Sequence, residues 1–346
     1  MSELMGSPSL YAKVVPRLRA LKAGLLGPRV RDLAPPLAEA LASLRESAYS
    51  SISDAKDIRT LERKIAQLFF SAVDELDRLS PDEAKPLVSS FALMREVEDI
   101  FTVARALAEG SSLPKWLPSV EWSSSEIGNV IAELEASPSI TRLPDTVKGS
   151  QLRRLLTEAM QAFSEVKSPE VFTWYSLSAQ ASTLLRALDS IGGQDRVETE
   201  KVICPLIEER VGLAAVEAWV LSVNPRTFAR VLPERTICGL SWAALSSAYE
   251  RNLGADVISL AMDVSGILRY VKAEGKGPRD IMASIRRTAR VTAVRAANAQ
   301  YEGYPYTPAL LAAALVLLSV DLDNLRSALL GIGLGLTQQE IEAALA

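Results

Sequence analysis

Apolar residues recur at steps of three and four along much of this 346-residue sequence, which is the spacing of one face of an α-helix. The clearest case runs from about Asp57 to Leu79, where the apolar positions are Leu61, Ile65, Leu68, Phe69, Val73 and Leu76. Aromatic residues make up only 6% of the chain although 48% of it is hydrophobic, a balance that favours close-packed helices over a β-sandwich. Alternating strand patterns with hairpin turns are absent, apart from a short extended piece expected near Thr236 to Cys238. The sequence therefore predicts an all-α fold.

Capping residues and prolines mark the expected helix starts. Ser80-Pro81-Asp82-Glu83 predicts an N-cap, a Pro at the first helical position and a Glu at the capping-box position. The same box spacing occurs at Thr337 with Glu340 and at Ser123 with Glu126, and Ser168-Pro169 is another predicted start. Linkers are predicted at 110–118, 137–147, 192–198 and 302–308, where Gly, Pro, Ser or polar residues are enriched.

The longest apolar run, 309–318, lies near the C-terminus and is followed by Asp321 and Asp323. Crossing a bilayer takes roughly 20 apolar residues, so we expect this run to form a buried core helix without inserting into a membrane. The N-terminus carries Glu3 and no long apolar stretch, which speaks against a secretory signal. The expected compartment is the cytoplasm.

Composition excludes several functional classes. The chain has no histidine, which removes Ser-His-Asp and Cys-His nucleophilic sites and ordinary histidine-based metal sites. Its net charge of −4 supplies no basic face for a phosphate backbone, so nucleic acid is not an expected partner. The acidic stretch 74–77 lies within a predicted helix and is interpreted as a solvated face.

The chain contains two cysteines, Cys204 and Cys238, and no CxxC pair. A zinc ribbon or a thioredoxin-type site is thereby excluded. We expect two buried, reduced thiols, with a disulfide as the alternative if the source is a hyperthermophile.

Two glycine clusters fail the tests for a phosphate site. Gly275-Lys276-Gly277 lacks the earlier glycine and the Ser/Thr of a P-loop, and Pro278 makes it a helix-breaking turn. The cluster 331–335 follows a helix and not a strand, so it is interpreted as a turn between helices. No catalytic residue, cofactor, metal or small-molecule substrate is expected.

A seven-residue pattern occurs three times, at 99–105, 224–230 and 324–330, with spacings of 125 and 100 residues. Each copy begins with Asp or Asn and has a hydroxyl residue three positions later. Such repetition predicts three similar helical domains in a pseudo-threefold arrangement, at 1–130, 131–250 and 251–346. Pro225 requires the helix of the second copy to begin or kink there. The candidate structural positions are Asp99, Arg105, Asn224, Arg230, Asn324 and Arg326.

The C-terminal stretch 321–331, followed by 336–341, resembles the terminal pattern of the C subunit of the archaeal/vacuolar-type (A-type) ATP synthase, a family that includes the d subunit of the vacuolar ATPase. That pattern is an acidic pair, Asn-Leu-Arg, a Gly-Lys turn and a short helix. The stretch from Tyr11 to Leu26 resembles the family's opening helix, and the internal copies resemble its Asp/Asn…Arg helices. The sequence departs from the pattern at Ile332, where Lys is usual, and at Leu330, where Arg is expected.

The resemblance implies a funnel of three helical domains that couples the rotating central stalk to the membrane proteolipid ring during proton- or sodium-driven ATP synthesis. The implied partners are the central-stalk subunits and the ring, and the implied place is the cytoplasmic face of the membrane, as a peripheral, non-catalytic subunit. Two alternatives stay open: an unrelated helical-repeat scaffold or adaptor, and an all-α enzyme. We expect Arg105, Arg230 and Arg326 to pair with acids on neighbouring helices, with partner contacts as the alternative.

Overall fold

The computed structural model describes residues 8–110, 130, 133–134, 138–232 and 238–345 of the chain. The described residues are 76% helix and contain no β-strand, which confirms the predicted all-α class. The extended piece expected near Thr236 falls on residues outside the described ranges, and Cys238 lies in a turn.

Fifteen α-helices lie in the described residues. In chain order they are α1 (Pro8–Tyr11), α2 (Val15–Gly24), α3 (Leu37–Ser43), α4 (Ile58–Leu79), α5 (Lys85–Ala108), α6 (Leu143–Thr146), α7 (Ser150–Val166), α8 (Val171–Asp189), α9 (Gly193–Val220), α10 (Pro225–Val231), α11 (Trp242–Asn252), α12 (Val257–Ile267), α13 (Pro278–Gln300), α14 (Pro308–Gly333) and α15 (Gln338–Ala344). Short 3₁₀ turns occur at Gly27–Asp32, Ser50–Ile52, Asp82–Ala84 and Ile140–Arg142.

Helix α4 follows the apolar periodicity of its sequence. Its N-cap is Asp57, whose carboxylate accepts a hydrogen bond from the Thr60 N–H at 2.7 Å. The buried positions are Leu61, Ile65, Phe69, Val73 and Leu76. On its outer side Asp74 is exposed, whereas Glu75 pairs with Arg17 at 2.6 Å. The predicted solvated acidic face is therefore partly engaged in an ion pair.

Two of the predicted helix boundaries are wrong. Ser80 ends α4 and makes no capping bond to the next element, because a 3₁₀ turn intervenes before α5 begins at Lys85. The predicted linker at 192–198 is mostly helical, since α9 begins at Gly193 and has Asp195 in its first turn. The predicted linker at 137–147 contains α6 in its described part. The linker predicted at 110–118, except Gly110, and the capping box predicted at Ser123 and Glu126 fall on residues outside the described ranges.

The contacts within the chain define two compact units. The first takes its residues from Met1–Phe91, Ser190–Ile203 and Ala293–Ala346, and the second from Ala92–Asp189 and Cys204–Thr292. The chain passes between units within α5, α9 and α13, and at the end of α8. The division into three repeats at 1–130, 131–250 and 251–346 stays a prediction.

The core of the first unit is α14, which packs against α2, α3, α4 and α15. The helix begins at the Thr307 N-cap and runs for 26 residues, well beyond the ten-residue run that the sequence emphasises. Within the described part of the chain it is the one helix long and apolar enough to cross a membrane, and 94% of its most apolar window is buried inside the protein. The prediction of a core helix is therefore correct, but the reason is the burial of the helix, because the helix is not too short to span a membrane.

The glycine cluster after the apolar run is helical over its first part, because α14 continues to Gly333. The turn begins only at Leu334, and Gly335 takes a positive φ of 75°. The following helix, α15, starts with the predicted capping box: Thr337 accepts from the Glu340 N–H, and the Glu340 carboxylate accepts from the Thr337 N–H at 2.8 Å. The Gly275–Gly277 segment is the predicted turn before α13.

In the second unit, α10 and α11 pack together, and α11 packs on α12. Phe228 of α10 stacks on Tyr249 of α11, with ring centroids 4.0 Å apart. The Tyr249 hydroxyl donates to the backbone oxygens of Ala218 and Val223, at 3.0 and 2.7 Å. The end of α9 is thereby joined to α11.

Cys204 and Cys238 form a disulfide, so the expectation of two reduced thiols is wrong. Cys204 lies within α9 and Cys238 in the turn before α11, and their Cα atoms are 5.5 Å apart. The sequence separation of 34 residues could not reveal this proximity, because it depends on the path of the chain between the two cysteines.

Candidate functional site

The first copy of the repeated pattern lies in the interior of α5. Arg105 pairs with Glu109 one turn later at 2.8 Å and with Glu170 at 3.4 Å, and it reaches the Thr173 hydroxyl at 3.5 Å. Asp99 is half-buried and has a partner within the chain. This copy therefore joins α5 to the start of α8.

The second copy forms the short helix α10. Asn224 is its N-cap and accepts a hydrogen bond from the Arg226 N–H at 2.9 Å, and the helix begins at Pro225 as the sequence requires. Arg230 is exposed near the end of this helix. This copy therefore serves as a helix start, with its leading residue outside the helix.

The third copy lies in the interior of α14. Asn324 is buried and has a partner within the chain, and Arg326 reaches out to Glu62 of α4 at 2.7 Å. Thus Asp99 and Asn324 lie within long helices, whereas Asn224 lies directly before the short helix α10. Arg105, Asn224 and Arg326 make different contacts in separate parts of the fold, and the common origin of the three copies by triplication stays a prediction.

The most elaborate polar contact of the first unit is centred on Asp321, a buried residue of the apolar helix α14. Its carboxylate accepts from the Leu26 N–H at 2.9 Å and from the Gly27 N–H at 2.6 Å, where a 3₁₀ turn begins. It also accepts from the Tyr49 hydroxyl. Three donors therefore compensate the desolvation of this carboxylate, and the N-terminal segment is fixed to the core helix.

Burial, and next the negative charge of Asp321, raise the pKa of Tyr49 above its ordinary value of 10.0. The hydroxyl therefore keeps its proton at neutral pH and remains a donor. Because Asp321 is the first acid of the terminal pattern described from the sequence, this contact gives that residue a structural role.

In the second unit, two adjacent carboxylates of α9 are buried. Glu209 accepts from Arg210 at 2.6 Å and from Arg290 of α13 at 3.1 Å, and Arg286 lies 3.9 Å away. Arg210 also donates to the Gln180 side chain at 3.3 Å. This cluster links α9, α13 and α8 through charge-assisted bonds.

Glu208 has a poorer environment than its neighbour. One carboxylate oxygen accepts from the Tyr270 N–H at 2.6 Å, and the other has no hydrogen-bond partner within the described residues. Burial raises the pKa of Glu208 from 4.5 to about 7, and the Tyr270 N–H and the charge of Arg269 oppose that rise. A carboxyl that holds its proton near neutrality is thus built into this unit.

None of these clusters brings together a metal-binding set: within the described ranges, no group of three Cys, Asp or Glu side chains is placed to hold an ion. The charged side chains of the clusters are used to join helices of the same unit. The fold and these contacts define an all-helical protein whose buried charges are used in packing.

The chain belongs to the ATP synthase (C/AC39) subunit family, whose family model matches residues 14–344. The resemblance inferred from the terminal pattern and the internal copies is thereby confirmed. The subunits of this family are structural components of the ATP synthase and members of a peripheral complex. No curated protein sequence matches this chain.

Sequence reasoning missed the contacts of Asp321 and the buried pair Glu208 and Glu209. Asp321 had a signal, because an acid after a long apolar run in a core helix requires partners. The pair in α9 gave a weaker signal in the sequence, namely two acids in an otherwise apolar part of the helix. Their partners could not be predicted, because Arg290, which pairs with Glu209, comes 81 residues later.

Proposed function

We propose that this chain is the central-stalk subunit that couples the rotating stalk to the membrane proteolipid ring of an A-type/V-type ATP synthase. The observation that carries this proposal is the extent of the family match, which covers residues 14–344 and so nearly the whole chain. A role that belongs to the entire subunit can therefore be transferred to the entire chain. Proton or sodium flow through the ring drives ATP synthesis in this scheme, and the chain performs no chemistry itself.

Coupling requires a body that does not yield, because a compliant one stores torsion as strain. Each unit has features that support this requirement. In the first, the buried helix α14 is packed on four other helices, and Asp321 fixes the N-terminal segment to it. In the second, a disulfide joins α9 to the turn before α11, and the Glu209 cluster joins α9 to α13. Close-packed interiors of this kind have low compressibility.

The proposed place of the chain is the cytoplasmic face of the membrane, where it is held by contact with the ring. The burial of α14 supports peripheral attachment, since the one helix of the described residues that is long and apolar enough to cross a membrane is already used inside the protein. The proposed body consists of three related helical domains in a funnel, as the repeated pattern predicts.

The test is reconstitution of the complex in sealed vesicles with and without this chain. We expect ATP hydrolysis by the catalytic head to persist without the chain, whereas ATP-driven ion uptake requires it. Adding the purified chain back restores uptake, and an unrelated helical protein added in its place does not.

Three outcomes would contradict the proposal. Undiminished ion uptake without the chain removes its coupling role, and failure to co-sediment with both the stalk subunits and the ring leaves the adaptor alternative. ATP hydrolysis by the purified chain alone would favour the enzyme alternative.

A further inference from the structure

Helix α12 presents two large apolar side chains to solvent. Ile258 is 39% exposed and Met262 is 70% exposed, which is the largest value for any large apolar side chain in the described residues. They lie one turn apart on the same side of the helix, since residues four positions apart are neighbours on a helix surface. A single exposed apolar residue needs no explanation, but an aligned pair with a charged border indicates a contact surface.

The segment 268–277, which connects α12 to α13, is fixed beside this pair. Its Ala273 N–H donates to the Ser265 hydroxyl at 2.7 Å, and Ser265 is the next neighbour of Met262 along the helix face. On its other side, the Ser284 hydroxyl of α13 donates to the Lys272 oxygen at 3.0 Å. The connection is therefore held between two helices in one conformation, which reduces the entropy cost of binding through it.

Four basic residues lie in this connection or in the first three turns of α13: Lys272, Lys276, Arg279 and Arg287. All four are exposed, and none of them makes an ion pair with the residues that the structure describes. Arg279 and Arg287 are eight residues apart in α13, which places them two turns apart along the helix and about 80° apart around it. Elsewhere in this unit, arginines such as Arg154 and Arg251 pair with acids of the same chain.

These four basic residues lie close together in the sequence, in a chain of net charge −4. Between residues 269 and 287 the exposed acids are Glu274 and Asp280. The Asp280 carboxylate accepts a hydrogen bond from the Lys276 backbone N–H at 3.3 Å. The basic residues therefore remain in excess along this segment, beside an apolar pair.

We propose that Ile258, Met262, Lys272, Lys276, Arg279 and Arg287 form a docking surface for an acidic protein surface with an apolar centre, carried by another subunit of the complex. This basic–apolar surface combines an apolar centre with Met and Arg, which are enriched at protein interfaces. Its charges attract and orient an acidic partner, and the apolar pair is buried on contact. The identity of the partner as a complex subunit rests on the function proposed above.

A protein partner fits better than an anionic lipid surface. Asp256, the N-cap of α12, is exposed two positions before Ile258, and Asp263, directly after Met262, is partly exposed. Inserting the apolar pair into a membrane would bring these carboxylates against anionic headgroups, a like-charge contact that costs free energy. A protein surface can place neutral or basic groups opposite these two acids.

The experiment measures binding of the full-length chain to three probes: purified central-stalk subunits, the detergent-solubilised proteolipid ring, and vesicles of phosphatidylglycerol and phosphatidylcholine. One variant combines Lys272→Glu, Lys276→Glu, Arg279→Glu and Arg287→Glu, and a second carries Met262→Ser. The matched control reverses four exposed basic residues of the first unit, Lys13, Arg19, Arg45 and Lys56, to Glu. Circular dichroism of each variant verifies that it is folded.

For one of the two protein probes, we expect the four-residue variant to bind at least about tenfold more weakly and with a smaller dependence on salt. Met262→Ser should weaken the same binding by about tenfold with the salt dependence unchanged. The control should bind within about twofold of the unmodified chain.

The inference is overturned if both protein probes bind the four-residue and Met262→Ser variants as tightly as the unmodified chain, while the proposed function then stands. It is also overturned if only the vesicles respond to these substitutions, which would indicate a membrane contact. If the unmodified chain binds neither protein probe, the proposed function itself fails, and the inference fails with it.

Discussion

The Tyr49 hydroxyl donates a hydrogen bond to the carboxylate of Asp321, although the two residues are 272 positions apart in the sequence. Both are buried, and the same carboxylate accepts the Leu26 and Gly27 N–H groups. The first turn after α2 and the core helix α14 are thus connected through one side chain. The strength of this connection can be measured by substitution.

Asp321→Ala should lower the free energy of unfolding by about 2–4 kcal/mol, because it leaves three donors without their acceptor. Tyr49→Phe should cost about 1–2 kcal/mol, since the carboxylate keeps its two backbone donors. Urea unfolding of both single variants and the double variant gives the coupling between them. Tyr304→Phe, at an exposed tyrosine, is the control and should change little. Additive effects of the two buried substitutions would show that the hydrogen bond contributes nothing.

Removing the disulfide should destabilise the second unit. Closing a chain segment of 34 residues reduces the entropy of the unfolded state, and the chain-entropy relation gives about 3–4 kcal/mol for that length. We expect a loss of that order for Cys204→Ala, or for the unmodified chain in dithiothreitol, in urea unfolding. Dithiothreitol should have no further effect on the Cys204→Ala variant. Equal stability of the oxidised and reduced chains would contradict the prediction.

Glu208 should make stability fall as the pH rises. Its pKa is about 7 in the folded chain and 4.5 when unburied, so between these values the folded state binds more protons than the unfolded state. Stability attributable to this residue is therefore full below about pH 4.5, declines from there to pH 7, and is level above it. The difference of about 2.5 pKa units corresponds to roughly 3 kcal/mol.

Glu208→Gln keeps an oxygen for the Tyr270 N–H and does not titrate. We expect the stability of this variant not to show the fall between pH 4.5 and pH 7 that Glu208 causes. The variant should therefore be more stable than the unmodified chain, most clearly at pH 8. Unfolding midpoints measured from pH 4 to pH 8 test this, with Glu302→Gln at an exposed glutamate as the control. A Glu208→Gln profile parallel to that of the unmodified chain would exclude the effect.

Two glycines near the end of α14 should respond oppositely to alanine. A Cβ at Gly331 would lie 2.7 Å from Cγ1 of Ile341 in α15, whereas a Cβ at Gly333 would meet Leu37 at an ordinary 3.5 Å. Gly331→Ala should cost about 1–2 kcal/mol through overpacking. Gly333→Ala should be neutral or stabilise by up to about 1 kcal/mol, because alanine favours the helix. Thermal unfolding tests both, and Ile341→Ala should relieve the Gly331→Ala defect.

The parts of the fold that follow from local physical chemistry could be predicted. Helix α4 is a case, because its apolar spacing and the Asp57 cap lie within one segment. The capping box of Thr337 and Glu340 is another. The glycines at 192 and 193 were misleading, since their composition indicates a linker but the residues that follow favour a helix beginning at Gly193.

The candidate site was less accessible to sequence reasoning, because its contacts join distant segments. The pairing of Cys204 with Cys238 depends on the path of α10, and the acceptor role of Asp321 depends on a turn near Gly27. The repeated pattern identified residues that make contacts, such as Arg105 and Arg326, but not their partners Glu170 and Glu62. Periodicity reports which face of a helix is buried, and it carries no information about which helix covers that face.

The burial of α14 has a consequence for the newly made chain. Outside its folded surroundings, this 26-residue segment has the length and apolarity that membrane-insertion machinery recognises. Three of the four helices that pack on it in the first unit, α2, α3 and α4, are encoded earlier and leave the ribosome before it, and only α15 follows. Three of its packing partners are therefore already synthesised when the segment emerges, so that the order of the helices along the chain favours burial of the segment over its insertion into a membrane.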